Sequence, residues 1–369
     1  MHTRSAAPRT SRSSRVGRST VDVSLADILR DAVPYALPLN RRFRGITVRE
    51  GLLIRGPSGW GDFAPFDDYS PRGCALWLAS AVEAAFGTWP EPRRELVPVN
   101  AIVPAVPADD AAALTRQAVL EHGCTTIKVK VAAMGEVLAD DEARVAAVRH
   151  AADAAAASAG EHAGPGGLAP GGVRIRLDAN GGWSTEDALR ALSRLGAYGI
   201  EYVEQPCASI DDTLALRRAL DLPIALDESV RFGDPRAFEA ADIVIVKVAP
   251  LGGVAAALAL ARDWGGPVVV SGALDSAVGL ASGLALAAAL AGDPPACGLG
   301  TGALLARDVI SPPLLPFDGH LPVERIAPDL DALMAARDLV GDQRARWWRQ
   351  RLVDAWESGG AELVDALDA

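Results

Sequence analysis

Cysteine and histidine are scarce in this chain of 369 residues, which has four of the first and five of the second. The cysteines form no CxxC pair, so we expect reduced, mostly buried thiols of a cytoplasmic protein and no disulfide framework. The histidines avoid the ends of the apparent strands, which argues against a zinc site or a Ser-His-Asp triad. The residues concerned are Cys74, Cys124, Cys207, Cys297, His2, His122, His150, His162 and His320.

Long apolar runs and basic residues are also in short supply. No apolar run reaches about 18 residues without a charge or a helix breaker, so we expect no membrane span. The chain has 36 basic and 47 acidic residues, and five of the arginines lie within residues 4–18, which contain no acid. The rest of the chain therefore has 31 basic against 47 acidic residues. Such a body should repel nucleic acid and anionic membranes.

The first twenty residues are rich in arginine and serine and have no hydrophobic centre. They match an organellar transit peptide superficially, but we expect no secretory signal and predict a disordered leader over residues 1–20.

Beyond the leader, the chain divides into three regions. Residues 21–96 combine strands closed by Gly/Pro turns with an apolar helical pattern, which predicts a small α+β capping domain. Residues 97–310 alternate strands with helices. Residues 311–369 carry amphipathic helical patterns and a Trp/Arg cluster, which we interpret as a segment that packs back on the cap and barrel rather than a nucleic-acid surface.

The middle region contains eight strand candidates separated by helices. This alternation, mostly at intervals of 20 to 30 residues, predicts an α/β fold of the TIM-type (β/α) barrel class rather than an open sheet. Ser184 and Asp187 are expected to cap the helix after the third strand. The Gly/Ala-rich stretch 158–172 is predicted to be a flexible insertion without a function.

Three acids stand where successive barrel strands end. The runs IRLDANGGW (175–183), EYVEQP (201–206) and IALDES (224–229) place Asp178, Glu204 and Asp227 at intervals of 26 and 23 residues. One strand, one helix and two loops take about that length, so each acid should reach the same rim of the barrel. Three carboxylates there suit a hard cation such as Mg²⁺. Glu228 points to the opposite face from Asp227 and ranks second as a ligand.

Lysines occupy positions where a barrel interior is normally apolar. In TTIKVKV, side chains alternate between the two faces of the strand, so Lys128 and Lys130 share the inward face. Lys247 ends the sixth strand, roughly opposite the second in a barrel with strands in chain order. Unpaired buried charges are costly, so lysines persist there only with partners or a chemical role. We expect Lys130 and Lys247 to flank one ligand.

A metal beside two facing amines suggests proton abstraction next to a carboxylate. Mg²⁺ on the substrate carboxylate would stabilise the enediolate that forms when the neighbouring carbon loses its proton. An amine base must be neutral, and burial together with the charge of Lys128 and the metal lowers a lysine pKa in that direction.

These residues resemble the functional set of the enolase superfamily, specifically of its muconate-lactonizing branch. That branch has a KxK run on the second strand, acids on strands three to five and a lysine on strand six. The resemblance covers about residues 35–325, including the capping domain.

Within the branch, five segments look like the o-succinylbenzoate synthase family of menaquinone biosynthesis. The resemblance implies a lyase that uses Mg²⁺, for which Mn²⁺ can substitute, to dehydrate 2-succinyl-6-hydroxy-2,4-cyclohexadiene-1-carboxylate to 2-succinylbenzoate. The segments are FRGITVREGLLIRG, GWGDFAPF, LDANGGW, VSGALDSAVGL and ACGLGTGALL.

The resemblance also implies roles for individual residues. Lys130 would remove the proton and then help hydroxide to leave as water on the same face, while Lys247 would stabilise the dienolate by charge. Ser271 and Gly298 could offer backbone donors to the succinyl carboxylate. Asp62 is a departure, because relatives more often carry Glu there. The residues expected to line the substrate are Lys128, Arg176, Asn180, Ser271 and Gly298.

Two other functions stay open on the sequence. An N-acylamino acid racemase or a dipeptide epimerase uses the same two lysines, and the cap loops select the substrate. A noncatalytic binding barrel should have lost a metal acid or a lysine, and none is missing. We expect a small carboxylate substrate and neither a nucleic-acid nor a membrane partner. The oligomeric state is open, with a monomer slightly favoured.

Overall fold

The computed structural model describes residues 23–162 and 172–368. The predicted leader and most of the predicted insertion lie outside these residues. The chain first forms a capping unit, continues into a barrel, and returns to the cap at its C-terminal end.

The capping unit is built on an antiparallel sheet of three strands in the order β1–β2–β3. A two-residue turn, Arg44-Gly45, joins the first two strands, with φ angles of 49° and 81°. Two positive φ angles in succession are typical of the type I′ turn, whose twist matches that of the flanking strands. The elements are α1 (Leu25–Arg30), β1 (Val33–Phe43), β2 (Ile46–Gly56), β3 (Gly59–Phe63) and α2 (Pro71–Phe86).

Seven parallel strands in chain order form the wall of the barrel. The eighth predicted strand is reduced to two parallel bridges, Val99 to Cys297 and Ser271 to Gly298. These bridges join the two edges of the sheet, so the predicted (β/α) barrel is confirmed. A short strand β4 (Leu96–Pro98) precedes β5 (Ala101–Val103), β6 (Thr126–Lys130), β7 (Arg174–Asp178), β8 (Ile200–Glu204), β9 (Ile224–Leu226), β10 (Ile243–Val246) and β11 (Val268–Val270).

Serine residues begin several helices of the barrel. Ser184, Ser209 and Ser276 each accept a hydrogen bond from the backbone N–H three residues ahead, which satisfies a donor that the helix cannot pair. The predicted cap at Ser184 is thereby confirmed. The helices are α3 (Ala108–Leu120), α4 (Leu138–His162), α5 (Thr185–Leu195), α6 (Ile210–Ala219), α7 (Glu228–Arg231), α8 (Ala237–Ala240), α9 (Val248–Leu251), α10 (Val254–Trp264) and α11 (Ala277–Ala289).

The stretch predicted as a flexible insertion begins inside a helix. Helix α4 continues to His162, so it extends five residues into the predicted insertion. The alanine-rich sequence before them has high helix propensity, which explains why the helix does not end at 157. Residues 163–171 lie outside the described part of the chain.

The C-terminal segment completes the cap. A strand pairs antiparallel with β4, and three helices come after it. Trp348 is buried, and its ring meets that of Phe63 edge-on with centroids 6.2 Å apart. Arg349 donates to the carbonyl oxygens of Leu29 and Ala32. The Trp/Arg cluster thus packs against the cap. The elements are β12 (His320–Pro322), α12 (Leu330–Asp338), α13 (Asp342–Ala355) and α14 (Ala361–Asp365).

Within residues 23–162 and 172–368, the helices are all too short or too polar to cross a lipid bilayer.

Candidate active site

Strand β6 directs its two lysines into the barrel as the alternation predicts. Ile127, Val129 and Val131 are buried in the core between the sheet and its helices. Lys128 is buried on the inner side, and Lys130 is partly buried nearer the mouth. This chain has only three lysines, and all of them lie in this site, the third being Lys247.

The predicted acids form a row along the carboxyl ends of neighbouring strands. Lys130 stands opposite Asp178 in the pairing of β6 with β7, and Asp178 stands opposite Glu204 in the pairing of β7 with β8. Asp227 directly follows β9 and begins α7. All three carboxylates are buried, so the barrel holds them where water cannot screen their charges.

Each acid is ion-paired with a lysine. Lys128 Nζ lies 2.9 Å from Glu204 Oε2 and 3.2 Å from Asp178 Oδ2. Lys130 Nζ lies 2.6 Å from Asp178 Oδ2, and Lys247 pairs with Asp227 at the other end of the row. Lys130 and Lys247 therefore approach the row of acids from different strands and at opposite ends.

The two lysines of β6 differ in the direction of their pKa shifts. Burial lowers the pKa of Lys130, and the charge of Lys128 adds to this effect, while the charge of Asp178 opposes it. For Lys128, burial also lowers the pKa, but the charges of Glu204 and Asp178 outweigh burial and raise it. Lys128 is thus the permanent cation and Lys130 the amine that loses its proton more easily.

The acids are crowded enough to affect one another. Burial raises the pKa of Glu204 to about 7, and the charges of Asp178 and Asp227 contribute to the increase. Burial would also raise the pKa of Asp178, but Lys130 and Lys128 outweigh it and lower that pKa. Asp227 has a lowered pKa because Lys247 and Arg231 outweigh the effect of burial.

The oxygen donors of the site are of the kind that a hard divalent cation binds, although the carboxylates are not arranged around one point. Among residues 23–162 and 172–368, no three acidic, thiol or imidazole side chains are placed to hold an ion together. The ammonium group of Lys128 lies between the carboxylates of Asp178 and Glu204, and Lys247 pairs with Asp227. Asp227 Oδ1 and Glu228 Oε2 are buried without a hydrogen-bond partner. Oxygen donors left unpaired beside three crowded carboxylates are the chemistry that Mg²⁺ binds.

Arg176 does not line the mouth, contrary to expectation. Its side chain is fully buried inside the barrel and stacks 4.8 Å from the ring centroid of Tyr202. It donates to Glu201 Oε2 at 2.6 Å and to the carbonyl oxygen of Ala296 at 2.5 Å. Arg176 precedes Asp178 by two residues on the same face, so it lies one layer deeper and packs the interior.

Ser271 and Gly298 lie near the mouth, but their backbone donors are already used. Ser271 N–H donates to the carbonyl oxygen of Val246, and Gly298 N–H to that of Val270. These bonds hold the barrel wall together. The expectation that the two amides bind a substrate carboxylate is therefore corrected, because neither N–H is free.

Asn180 connects the candidate base to the rim. Its Oδ1 accepts a hydrogen bond from Lys130 Nζ at 2.6 Å, and its Nδ2 donates to Glu228 Oε1 at 3.3 Å. Its φ of 46° is unusual for a residue other than glycine and turns the side chain back toward the strand end.

Sequence reasoning missed Gln205 and the tip of the β1–β2 hairpin. Gln205 is buried, and its Oε1 accepts from Asp227 N–H and Ser229 N–H at 3.2 Å each, which fixes the start of α7. Phe43, at the end of β1, places its ring 5.8 Å from Lys130 Nζ. Gln205 directly follows Glu204 at the strand end, and this position could have identified it from the sequence. No local pattern links the hairpin to the barrel mouth.

Comparison with known proteins agrees with this geometry. The family model "Enolase C-terminal domain-like" matches residues 110–332, and "Enolase N-terminal domain-like" matches residues 34–85. The crystal structure of a muconate lactonizing enzyme from Pseudomonas fluorescens superposes with a TM-score of 0.67 at 20% identity, covering 83% of this chain and 97% of that one. Fold and site together define an enolase-type barrel with its cap.

Curated relatives narrow the class further. The o-succinylbenzoate synthase of Thermobifida fusca is 52% identical over 296 residues, which cover 79% of this chain and 87% of that protein. The o-succinylbenzoate synthase of Mycobacterium ulcerans is 47% identical over 337 residues, covering 89% and 94%. The chain belongs to the enolase superfamily and, within it, to the o-succinylbenzoate synthase family.

Proposed function

We propose that this chain dehydrates 2-succinyl-6-hydroxy-2,4-cyclohexadiene-1-carboxylate to 2-succinylbenzoate, the o-succinylbenzoate synthase reaction of menaquinone biosynthesis. The observation that carries the proposal is the pair of lysines, Lys130 and Lys247, on either end of a buried row of acids. Its identity of 46–52% to proteins of that name over most of the chain supports the substrate.

Lys130 is the proposed base. Its lowered pKa favours the neutral amine, which takes the proton from the carbon next to the substrate carboxylate. The C–H electron pair moves toward that carboxylate. The ammonium then returns the proton to the departing hydroxyl group, so that water leaves and the ring becomes aromatic. Both transfers use the same face of the ring, and Lys130 is restored.

Asp178, Glu204 and Asp227 are the residues that would hold Mg²⁺ or Mn²⁺, which would supply positive charge to the substrate carboxylate. Lys128 favours the ionised forms of Glu204 and Asp178 through its ion pairs with both. Lys247 faces the ring from the opposite side and contributes a fixed positive charge.

A direct assay tests the proposal. Purified protein with Mg²⁺ should dehydrate the cyclohexadiene faster than it exchanges the α-proton of N-acylamino acids of either hand in D₂O. Lys130→Ala should fold normally and lose at least about a hundredfold in kcat, because removing a general base typically costs that much. Faster exchange and racemisation of both hands by wild type would make a racemase the primary function.

Lys247→Arg separates the two reactions further. Arginine keeps the positive charge but is not a base near neutral pH. The variant should retain measurable dehydration and lose any racemisation, which needs a second acid–base group. Binding of 2-succinylbenzoate must be measured alongside, because the larger guanidinium could block the site. Racemisation that survives in a binding-competent variant would exclude Lys247 as a proton carrier.

A further inference from the structure

The β1–β2 hairpin brings an arginine to the edge of the site. Arg44 follows Phe43 at the turn, and its guanidinium lies 5.1 Å from the ring centroid of Phe66. Arg44 Nη2 is 3.6 Å from Glu228 Oε1, which itself accepts a hydrogen bond from Asn180. Glu228 and Asn180 therefore link Arg44 to Lys130 by a chain of contacts.

The donors of Arg44 are not used by the rest of the protein. Its guanidinium donates no hydrogen bond to any residue that the structure describes, since 3.6 Å to Glu228 is beyond hydrogen-bond distance. Arg49, on the next strand, instead donates to the carbonyl oxygens of Leu274, Glu50 and Ala64. Arg44 thus presents a charged group with free donors toward the mouth of the barrel.

Arg44 shares its acidic partner with a second arginine. Glu228 Oε1 is approached by Arg44 at 3.6 Å and by Arg231 at 3.5 Å, so two guanidinium groups share one carboxylate. Arg231 has further partners, because it donates to the hydroxyl of Tyr69 and lies 3.8 Å from Asp227 Oδ1. Within the described part of the chain, the shared Glu228 is the one acid at ion-pair distance from Arg44.

Arginine is also an unusual residue type for the backbone conformation at position 44. Its φ of 49° favours asparagine, aspartate or glycine at the first central position of a type I′ turn. A bulky arginine there carries strain, which is typical of positions kept for function.

We infer that Arg44 binds the second carboxylate of the substrate, at the end of its succinyl arm. The inference rests on the proposed function. With the ring carboxylate at the acid row, the carboxylate of the arm needs a partner of its own, and the amides of Ser271 and Gly298 are not free to receive it. A guanidinium with unused donors is suited to a carboxylate because it can form two parallel hydrogen bonds. Arg44 is then a residue that selects dicarboxylates.

Binding of two matched compounds tests this role. 2-Succinylbenzoate ends in a carboxylate, and 2-butanoylbenzoate has a methyl group in its place. Calorimetry in the presence of Mg²⁺ should show wild type binding 2-succinylbenzoate about tenfold to a hundredfold more tightly, the range for hydrogen bonds to a charged group. Arg44→Asn should bring the two dissociation constants close together, and Arg44→Lys should keep part of the difference.

The choice of variants separates charge from turn geometry. Asparagine suits the positive φ, so Arg44→Asn should preserve the hairpin and the thermal midpoint. Arg41→Asn is the matched control, because Arg41 lies on β1, three residues before Arg44, and pairs with Asp110 at 2.8 Å, away from the three acids of the site. That control should keep the preference of wild type. In turnover, Arg44→Asn should raise KM for the cyclohexadiene more than it lowers kcat.

Other outcomes overturn the inference in distinguishable ways. If Arg44→Asn weakens both compounds equally, Arg44 only closes the hairpin against Glu228. If it changes neither, Arg44 does not touch the ligand. If wild type neither binds 2-succinylbenzoate nor dehydrates the cyclohexadiene, the proposed function fails, and this inference fails with it.

Discussion

At the scale of single residues, lysine is confined to the site while arginine serves the rest of the molecule. The 36 basic residues include only Lys128, Lys130 and Lys247 as lysines. Arginine stays protonated at all accessible pH values, whereas a lysine pKa shifts readily on burial. A proton-transfer group must be able to lose its charge. The distribution of the two residue types therefore follows from their chemistry.

A second titratable group lies between the cap and the barrel. Asp62 of β3 is buried, and it accepts hydrogen bonds from Tyr35 Oη and Ser276 Oγ at 2.8 Å each. Burial raises its pKa from 3.8 to about 6, and the charge of nearby Asp275 adds to the increase. Asp62 stands where relatives more often carry Glu, and its contacts are thus a tyrosine of the cap sheet and the serine that caps barrel helix α11.

The first prediction concerns the pH dependence of stability at Asp62. The folded state holds this proton more tightly than the unfolded chain, so the contribution of Asp62 falls as pH rises from about 4 to about 6. Two pKa units correspond to about 3 kcal/mol. The asparagine of Asp62→Asn does not titrate, so the stability of this variant should not show this fall. The free energy of unfolding of the variant minus that of wild type, measured in urea, should therefore increase as pH rises across this range.

Asp67→Asn is the control, because Asp67 is exposed on the same cap and pairs with Arg344. If the difference in the free energy of unfolding between wild type and Asp62→Asn does not change with pH, then folding does not raise the pKa of Asp62.

At the scale of elements, a helix of the capping unit supplies the N-terminal cap of a helix of the barrel. Glu83 of α2 accepts hydrogen bonds from the N–H groups of Val254 and Ala255, the first residues of α10. No side chain of the loop caps α10, whose N-cap is Gly253. Gly253 has a φ of 129°, and a Cβ added to it would lie 2.6 Å from Glu83 Oε2. Glycine is therefore required at the position where the Glu83 side chain meets α10.

The second prediction is that Glu83→Ala destabilises the protein by about 2–3 kcal/mol, the cost of losing a helix cap that is also a charged acceptor. Glu83→Gln should lose less stability, since the amide keeps one carbonyl oxygen that can accept a hydrogen bond. Urea unfolding measures both. Arg72→Ala, an exposed position on the same helix, should change stability by less than about 0.5 kcal/mol. A loss in Glu83→Ala no larger than in this control would contradict the capping role.

At the scale of the whole molecule, the first and last helices that the structure describes pack together in the cap. Trp348 and Leu352 of α13 share a buried cluster with Ile28 of α1 and Phe63 of β3. A second cluster joins Phe43 to Leu274 and Leu304 of the barrel. The cap is thus held by packing at its base and reaches the mouth through its hairpin. Ligands that bind between the two parts should stabilise the entire fold.

The third prediction is that Mg²⁺ raises the thermal midpoint. A ligand at a hundredfold excess over its dissociation constant stabilises the folded state by about 2.7 kcal/mol, which for a chain of this size is a shift of about 3 °C. The shift should disappear in Glu204→Gln and persist in Glu186→Gln, an exposed acid on α5. Sodium chloride at equal ionic strength should not reproduce it. An equal shift in all three proteins would place the ion elsewhere.

Local patterns predicted much of this architecture. The alternation in TTIKVKV directed the lysines inward, and Ser184 marked the start of a helix, because both depend on neighbours a few residues apart. The rim position of the three acids followed from strand ends at regular intervals. The eighth strand was the weakest of these predictions, since its two bridges offer few residues for a pattern.

Contacts between distant segments decided the rest. Arg176 fits the family pattern by position, but its burial depends on Glu201 of β8 and on Ala296, which precedes the bridge residue Cys297. The amides of Ser271 and Gly298 were taken by the wall of the barrel. Glu83 reaches α10 across 171 positions, and Arg44 approaches Glu228 from another part of the fold.

The sequence by itself determined which side chains stand at the ends of the strands, because backbone geometry sets the period of a strand and of a βα unit. Only the tertiary structure decided which charges pair and which donors stay free. Ion pairing depends on distances between segments far apart in the chain, and burial multiplies the energy of each pair by removing water. One strand therefore carries two lysines whose pKa values shift in opposite directions, Lys128 upward and Lys130 downward.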